Sequence, residues 1–241
     1  MDGPTTGDAF GELLRAAMEG RPSLGAIERD DGVLDPHDGR IYLGGIHEWS
    51  ELDRIACARV VGKTLDVGCG AGRHSLHLQE KGFDVTGIDP SAGACEVSRA
   101  RGVRKVRRTS VEDVPRLEER FDTFVLLGNN LALLGSPEHA PIVLDALAQV
   151  ASPNAKVLGG SRDPYRTDAK LHLDYHAHNR KRGRPGGQTR IRSRFERLAD
   201  PWFDYLFCSR DELVGLTKNS AWRLAEFDED GAGYLAELRL R

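Results

Sequence analysis

Thr64-Leu65-Asp66-Val67-Gly68-Cys69-Gly70-Ala71-Gly72-Arg73-His74 decides the fold of this chain. A short β-like run, Thr64 to Val67, enters a turn with glycine at every second position, and an amphipathic run follows. Glycines there let the backbone turn tightly and come close to a ligand with no Cβ in the way. Asp66 falls at the carboxyl end of the strand, the edge at which open α/β sheets bind ligands. Seventeen residues after Gly72, the run Val85-Thr86-Gly87-Ile88-Asp89 ends a second strand on a carboxylate suited to a ribose diol.

Glycine spacing separates the two nucleotide-type ligands that such a layout could hold. A dinucleotide fingerprint reads G-x-G-x-x-G. Counted from Gly68 its last glycine would fall on Arg73, and counted from Gly70 on Ser75. The pattern present is D-x-G-x-G-x-G, with a carboxylate in front and no glycine for a pyrophosphate turn. It resembles motif I of the class I S-adenosylmethionine (SAM) dependent methyltransferases. SAM carries a cationic amino-acid end and no phosphate, so a carboxylate beside the loop suits it and would be awkward next to a pyrophosphate.

Composition sets the bounds. At 241 residues the chain has room for one α/β domain with a proper core and insertions. Hydrophobic content of 39% and charged content of 29% fit a globular protein. A net charge of −3 argues against a polyanion-binding surface spread over the whole molecule, and so against nucleic acid. No apolar run approaches the ~20 residues of a bilayer span, and Met1-Asp2-Gly3-Pro4 lacks the basic and apolar regions of a signal peptide. Cys57, Cys69, Cys95 and Cys208 show no metal-ligand spacing and read as reduced thiols in a cytoplasmic protein.

Along the chain, residues 7–19 predict a helix with Phe10, Leu13, Leu14 and Met18 on one face. Asp31-Gly32 predicts a tight turn, and a helix starts near Ser50 with Glu51 and Asp53 in its first turn. Alternating β and α signals then follow. Strands are expected at 64–67, 84–88, 103–107, 121–127 and 156–160, with helices at 73–81, 91–101 and 137–150. Residues 161–208 break this rhythm. A helix at 210–218 and a terminal hairpin, 222–226 with 234–240, close the chain.

Residues 60–241 thus resemble the seven-stranded, Rossmann-like class I methyltransferase sheet, an α/β fold ending in an antiparallel hairpin. The expected organisation is an N-terminal helical cap over 1–60 and a SAM-binding domain over 61–241, with a lid insertion at 161–208 after strand five.

The resemblance implies a site. Asp66 would anchor the loop near the methionine end of SAM, Gly68, Gly70 and Gly72 would form the floor, and Asp89 would bind both ribose hydroxyls. Pro90 would lie against the adenine. Ser110 falls where relatives often place an aspartate that accepts from the adenine amino group, and Val111 would offer its backbone N–H. Glu112 is the alternative acceptor, or simply solvated. Gly128 would let its carbonyl approach the SAM amino group. Asn129 would bond SAM or substrate, or else serve as a turn residue. Tyr42 and Trp49 would line the pocket, where an aromatic face favours a sulfonium by ~0.5–2 kcal/mol. The alternative for Trp49 is a core anchor.

Acceptor-side residues are expected in 163–197, past strand five at the sheet's carboxyl edge. Tyr165, His172 and His176 are the catalytic candidates. The two histidines fall on one face of a helix, and imidazole titrates near neutrality as a general base should. No third ligand accompanies them, so no metal site is expected. Arg190, Arg192 and Arg194 share one face of a strand, with 202–208 as its partner. Turned to a cleft they suit an acidic acceptor; turned outward they protect an edge.

The sequence therefore reads as a cytoplasmic SAM-dependent methyltransferase of specialised metabolism that acts on a small molecule, with nitrogen or oxygen as the nucleophile. One rival is a methyltransferase acting on RNA or protein. Another is a SAM-binding regulator without catalysis. An NAD enzyme fails on glycine spacing.

Overall fold

The computed structural model describes residues 3–241. In chain order the elements are β1 (Thr5–Thr6), α1 (Ala9–Met18), β2 (Leu24–Arg29), β3 (Leu34–Asp38), α2 (Glu51–Ala58), β4 (Thr64–Val67) and α3 (Arg73–Glu80). Then come β5 (Val85–Asp89), α4 (Ala92–Ala100), β6 (Val106–Arg108), β7 (Phe121–Leu126), α5 (Ala140–Gln149), β8 (Ala151–Arg162) and α6 (Lys170–Lys181). The chain ends with β9 (Gln188–Phe195), β10 (Leu198–Ala199), β11 (Phe203–Leu206), α7 (Arg210–Thr217), β12 (Trp222–Asp230) and β13 (Gly233–Leu240).

Two sheets result. The larger has seven strands in the order β12-β13-β8-β7-β4-β5-β6. The pairs β5–β6 and β7–β8 are parallel, whereas β13 runs antiparallel to both β8 and β12. This is the expected Rossmann-like sheet with its closing hairpin. The smaller sheet has the order β1-β10-β9-β2-β3, with β11 also paired to β9.

Short polar side chains start the helices where the sequence supplies them. Asp8, Ser50, Ser91 and Ser209 each accept a backbone N–H from the first turn of α1, α2, α4 and α7. Such caps are worth about 1 kcal/mol apiece. Strands β4 and β5 are buried along their whole length, as parallel strands covered on both faces must be.

The chain divides into two compact units. The first joins residues 1–49, 65–110 and 190–203. Within it α1 packs on both sides: Ala9, Leu13 and Ala16 against Phe195 of β9, and Leu14 against Ala71, Ala94 and Val97. The second unit joins residues 50–64, 111–189 and 204–241. Its core includes Phe121, Phe124 and Trp222, with the Trp222 indole N–H donating to the Leu144 carbonyl over 2.9 Å.

Several boundaries differ from the sequence expectation. Strand β8 begins at Ala151, directly after α5, because Pro153 and Asn154 sit at a register shift inside the strand and do not precede it. No compact unit is bounded at residue 60, and the N-terminal region contains the β2–β3 hairpin beside its helix. Residues 161–208 contain α6 and three strands, and β9 pairs antiparallel with β2 from Ala26↔Arg194 to Arg29↔Ile191. The segment is thus tied by backbone hydrogen bonds to the N-terminal hairpin. Among the described residues no helix is long and apolar enough to cross a membrane.

Candidate functional site

In the first unit the loop after β4 is built on left-handed backbone. Gly68, Gly70 and Gly72 have φ of 70°, 53° and 77°. An L side chain in that region costs roughly 1–2 kcal/mol. At Gly72 space is also absent, because a Cβ would stand 2.4 Å from Ser98 Oγ and 2.6 Å from Val103 Cγ2. The backbone N–H groups of Gly68 and Cys69 both donate to the Ile88 carbonyl over 2.9 Å, which pins the loop to β5.

Two buried carboxylates flank this loop. Asp66 accepts from Ser75 Oγ of α3 over 2.6 Å, and burial pushes its pKa up. Asp89 accepts from the Gly70 N–H at 3.0 Å and the Ser91 N–H at 2.9 Å. Burial raises Asp89 to about 6, against which the two backbone donors act. A carboxylate oxygen that takes one N–H retains capacity for another donor. Hydroxyl donors at this position would favour the ionised form and offset its desolvation.

The N-terminal region roofs the loop. The Phe10 ring lies 3.6 Å from where a Gly70 Cβ would be, and Tyr42 meets Phe10 edge-on at 5.0 Å. Arg101 donates to the carbonyls of Ala71 (2.6 Å) and Leu43 (2.7 Å), joining α4, the loop and the segment after β3. Sequence reasoning missed Asp8, Phe10 and Arg101. Phe10 was legible only as a core-face residue of α1, and the spacing of Arg101 carries no signal.

Of the expected cofactor contacts in this unit, Asp66, the three glycines, Asp89 and Tyr42 come together. Trp49 is buried against α3, edge-on to His74 at 4.6 Å and His77 at 5.4 Å, with its indole N–H donating to the Gly44 carbonyl. That is the anchor role. Pro90 is exposed, and its carbonyl accepts from Arg108. Ser110 is partly buried just after β6, beyond Thr109, whose N–H donates to the Asp89 carbonyl.

Arg192 and Arg194 share Glu28 on the small sheet, at 2.8 and 2.9 Å. Those bonds hold the Glu28 pKa below its ordinary value, Arg192 first. The Arg192 guanidinium also lies 4.4 Å from the Trp202 ring centroid. Arg190 is exposed. The three arginines therefore do not act as one open cationic face.

In the second unit Gly128 and Asn129 both take left-handed backbone (φ 66° and 74°) at the end of β7 and are exposed. Val111 is buried. Glu112 pairs with His139 Nε2 at 2.8 Å. Tyr165 and His176 meet edge-on at 5.7 Å. The Tyr165 hydroxyl donates to Glu212 over 2.5 Å, and burial together with that carboxylate pushes its pKa up to about 12. It is therefore a protonated phenol at neutral pH. His176 is buried, whereas His172 is exposed on the first turn of α6. The buried face of α6 also carries Asn179, whose amide N–H groups donate to the carbonyls of Gly186 and Gln188. Among the described residues no group of three His, Cys, Asp or Glu side chains could hold a metal ion.

Residues 64–154, which include the loop and both acidic strand ends, match the family model of a methyltransferase domain. These residues form a methyltransferase domain, set in the fold of SAM-dependent methyltransferases. The chain's structure superposes on a SAM-dependent methyltransferase from Bacteroides fragilis, solved in complex with S-adenosyl-L-homocysteine. The TM-score is 0.82 at 25% identity, covering 97% of this chain and 94% of that one. Among curated proteins it is 33% identical over 102 residues to a ubiquinone biosynthesis O-methyltransferase of Hahella chejuensis, 39% of this chain and 40% of that one. It is 35% identical over 82 residues to a glycine/sarcosine N-methyltransferase of Aphanothece halophytica, 32% and 31% of the two chains. The matches thus span less than half the length of either curated relative.

Proposed function

We propose that this methyltransferase binds SAM on the loop after β4 and transfers its methyl group to a nitrogen or oxygen of a small-molecule acceptor. The observation that carries the reading is the buried Asp89 carboxylate beside three left-handed glycines, whose middle N–H it accepts.

The residues fit the cofactor. Asp89 would hold the ribose hydroxyls, Asp66 and the glycines the methionine end, and Ser110 the adenine. SAM supplies an already activated methyl group on a sulfonium. What the protein adds is alignment, from which much of the rate in such a displacement can come.

On the acceptor side the proton-handling candidates narrow to His172 and His176. Tyr165 is held protonated on Glu212 and positions α6 by its ring. A cytoplasmic setting accords with four buried free cysteines. The curated relatives include both an O- and an N-methyltransferase, in keeping with a discrete small acceptor of either atom type.

The test is turnover. The protein is incubated with SAM and pooled carboxylic-acid, phenol and amine acceptors, and S-adenosylhomocysteine and the methylated product are read by mass spectrometry. The proposal expects acceptor-dependent release of both in a one-to-one ratio. SAM binding without release over the whole pool, with methylation of RNA or protein instead, would overturn the small-molecule reading.

A further inference from the structure

The N-cap of α1 is a carboxylate, Asp8, whose bonds reach beyond its own helix. Asp8 Oδ1 accepts from the Gly11 N–H at 3.0 Å, which caps α1, and from Ser91 Oγ at 2.6 Å. Its Oδ2 accepts from the Gly93 N–H at 2.7 Å, in the first turn of α4. Ser91 in turn caps α4 through Ala94 and sends its own backbone N–H to Asp89 Oδ1. One carboxylate thus grips the start of two helices, and a single residue, Ser91, links it to Asp89.

The two helices meet where only glycine fits. A Cβ on Gly93 would stand 2.6 Å from the Gly11 Cα. Their close approach sets Phe10 over Gly70 and keeps the Gly70 N–H on Asp89. The N–H groups of Ala9 and Phe10 go to Asp200 Oδ1, at 2.7 and 3.4 Å, so Asp8 is not needed to satisfy them. Two of its three bonds instead tie α1 to α4.

We infer that Asp8 is a positioning residue for cofactor binding, orienting Asp89 through Ser91 and holding the Phe10 roof over the glycine loop. The inference rests on the reading that Asp89 holds the ribose. It accounts for a half-buried carboxylate that the cofactor contacts themselves do not require.

Charge gives a readout that a purely structural clamp would not move. The groups acting on Asp89 are Asp8 from α1, Asp66 from β4, Cys69 from the loop and Cys95 from α4; Arg108, its register partner on β6, donates to the Pro90 carbonyl. Both thiols are pushed above their ordinary range by burial, so they are neutral across pH 5–8. Asp8 and Asp66 both raise the Asp89 pKa, in the direction of burial. Removing the Asp8 charge must therefore lower it.

The experiment measures S-adenosylhomocysteine affinity by calorimetry from pH 5 to 8 for the wild type, Asp8→Asn, Ser91→Ala, the double variant and Asp89→Ala. Each is also melted thermally without ligand. Asn caps a helix as well as Asp, so Asp8→Asn keeps α1 but loses an acceptor for Gly93. Asp8→Asn and Ser91→Ala are expected to bind about tenfold more weakly at pH 7.5, the range for a bond to a charged group. Their effects should be less than additive because they share the 2.6 Å bond. The pH midpoint should fall for Asp8→Asn and stay at or above the wild-type value for Ser91→Ala. A lowered melting temperature with unchanged affinity and midpoint would overturn the inference, and so would fully additive losses. Should Asp8→Asn fail to fold, wild-type affinity in Ser91→Ala would overturn it alone. If Asp89→Ala binds like the wild type, it is the ribose reading that falls, and the inference with it.

Discussion

The backbone N–H of Gly70 donates to Asp89 Oδ2 over 3.0 Å, so the middle glycine of the loop after β4 is tied to the carboxylate that ends β5. The two motifs read separately in the sequence are one structural unit. Asp89 is buried, and its pKa stands at about 6.

A stability cost follows. The folded pKa lies above the unfolded value near 3.8, so the folded state binds more protons between about pH 4 and 6. Stability of the ligand-free protein falls as pH rises through that window, and the full cost is present above it. Asp89→Asn should stabilise the free protein at pH 7.5 by roughly 1–2 kcal/mol and leave stability at pH 3.5 nearly unchanged. Urea unfolding at both pH values checks this. Equal effects at the two would contradict it.

Binding should show the opposite dependence. If Asp89 holds the ribose as proposed, its hydroxyls would donate to the ionised carboxylate, and affinity for S-adenosylhomocysteine should weaken as pH drops below about 6, with the slope of one proton. Calorimetry from pH 5 to 8 reads it directly, and a flat profile would show that Asp89 does not meet the ligand.

The fold was legible because its markers are local. The strand, glycine loop and helix at 64–80, the second acidic strand end and the terminal hairpin each announce themselves within a dozen residues. The cradle was legible for the same reason: left-handed φ demands glycine at 68, 70 and 72. What was not legible is pairing at long range. Asp8 meets Ser91 and Gly93 across more than eighty residues, and β9 joins β2 across more than one hundred and sixty. Trp49 and Tyr165 had polar tips whose partners, the Gly44 carbonyl and Glu212, only the fold supplies.

The two loop glycines should differ. Gly70→Ala adds left-handed strain but meets only the Phe10 ring at 3.6 Å, an ordinary contact. Gly72→Ala adds the same strain and collides with Ser98 and Val103. We expect a loss of about 1–2 kcal/mol for the first and roughly twice that for the second. Chemical denaturation of both variants reads the difference, and equal losses would contradict the geometry.

Glu28 holds two arginines. Its pKa is lowered, so its contribution is present above the unfolded value near 4.5 and is lost as pH falls through the folded one. Glu28→Gln should destabilise by about 1–2 kcal/mol at pH 7 and by nearly nothing at pH 2.5. Loss of the same size at both pH values would mean that packing, and not charge, carries the effect.

Tyr165→Phe removes only a bond to Glu212 from a partly exposed ring. Turnover should stay within about twofold and stability within about 1 kcal/mol, whereas His172→Ala should depress turnover with SAM affinity intact. A hundredfold loss in Tyr165→Phe would return the tyrosine to the chemistry.

The central claim is that the loop after β4 and Asp89 together hold SAM. Calorimetric titration of wild type and Asp89→Ala with S-adenosylhomocysteine, and of the wild type with NAD, at pH 7.5 tests it most directly. One-to-one binding of S-adenosylhomocysteine, at least tenfold weaker in Asp89→Ala, with no heat from NAD, is the predicted result. NAD binding, or equal affinity in the two proteins, would contradict it.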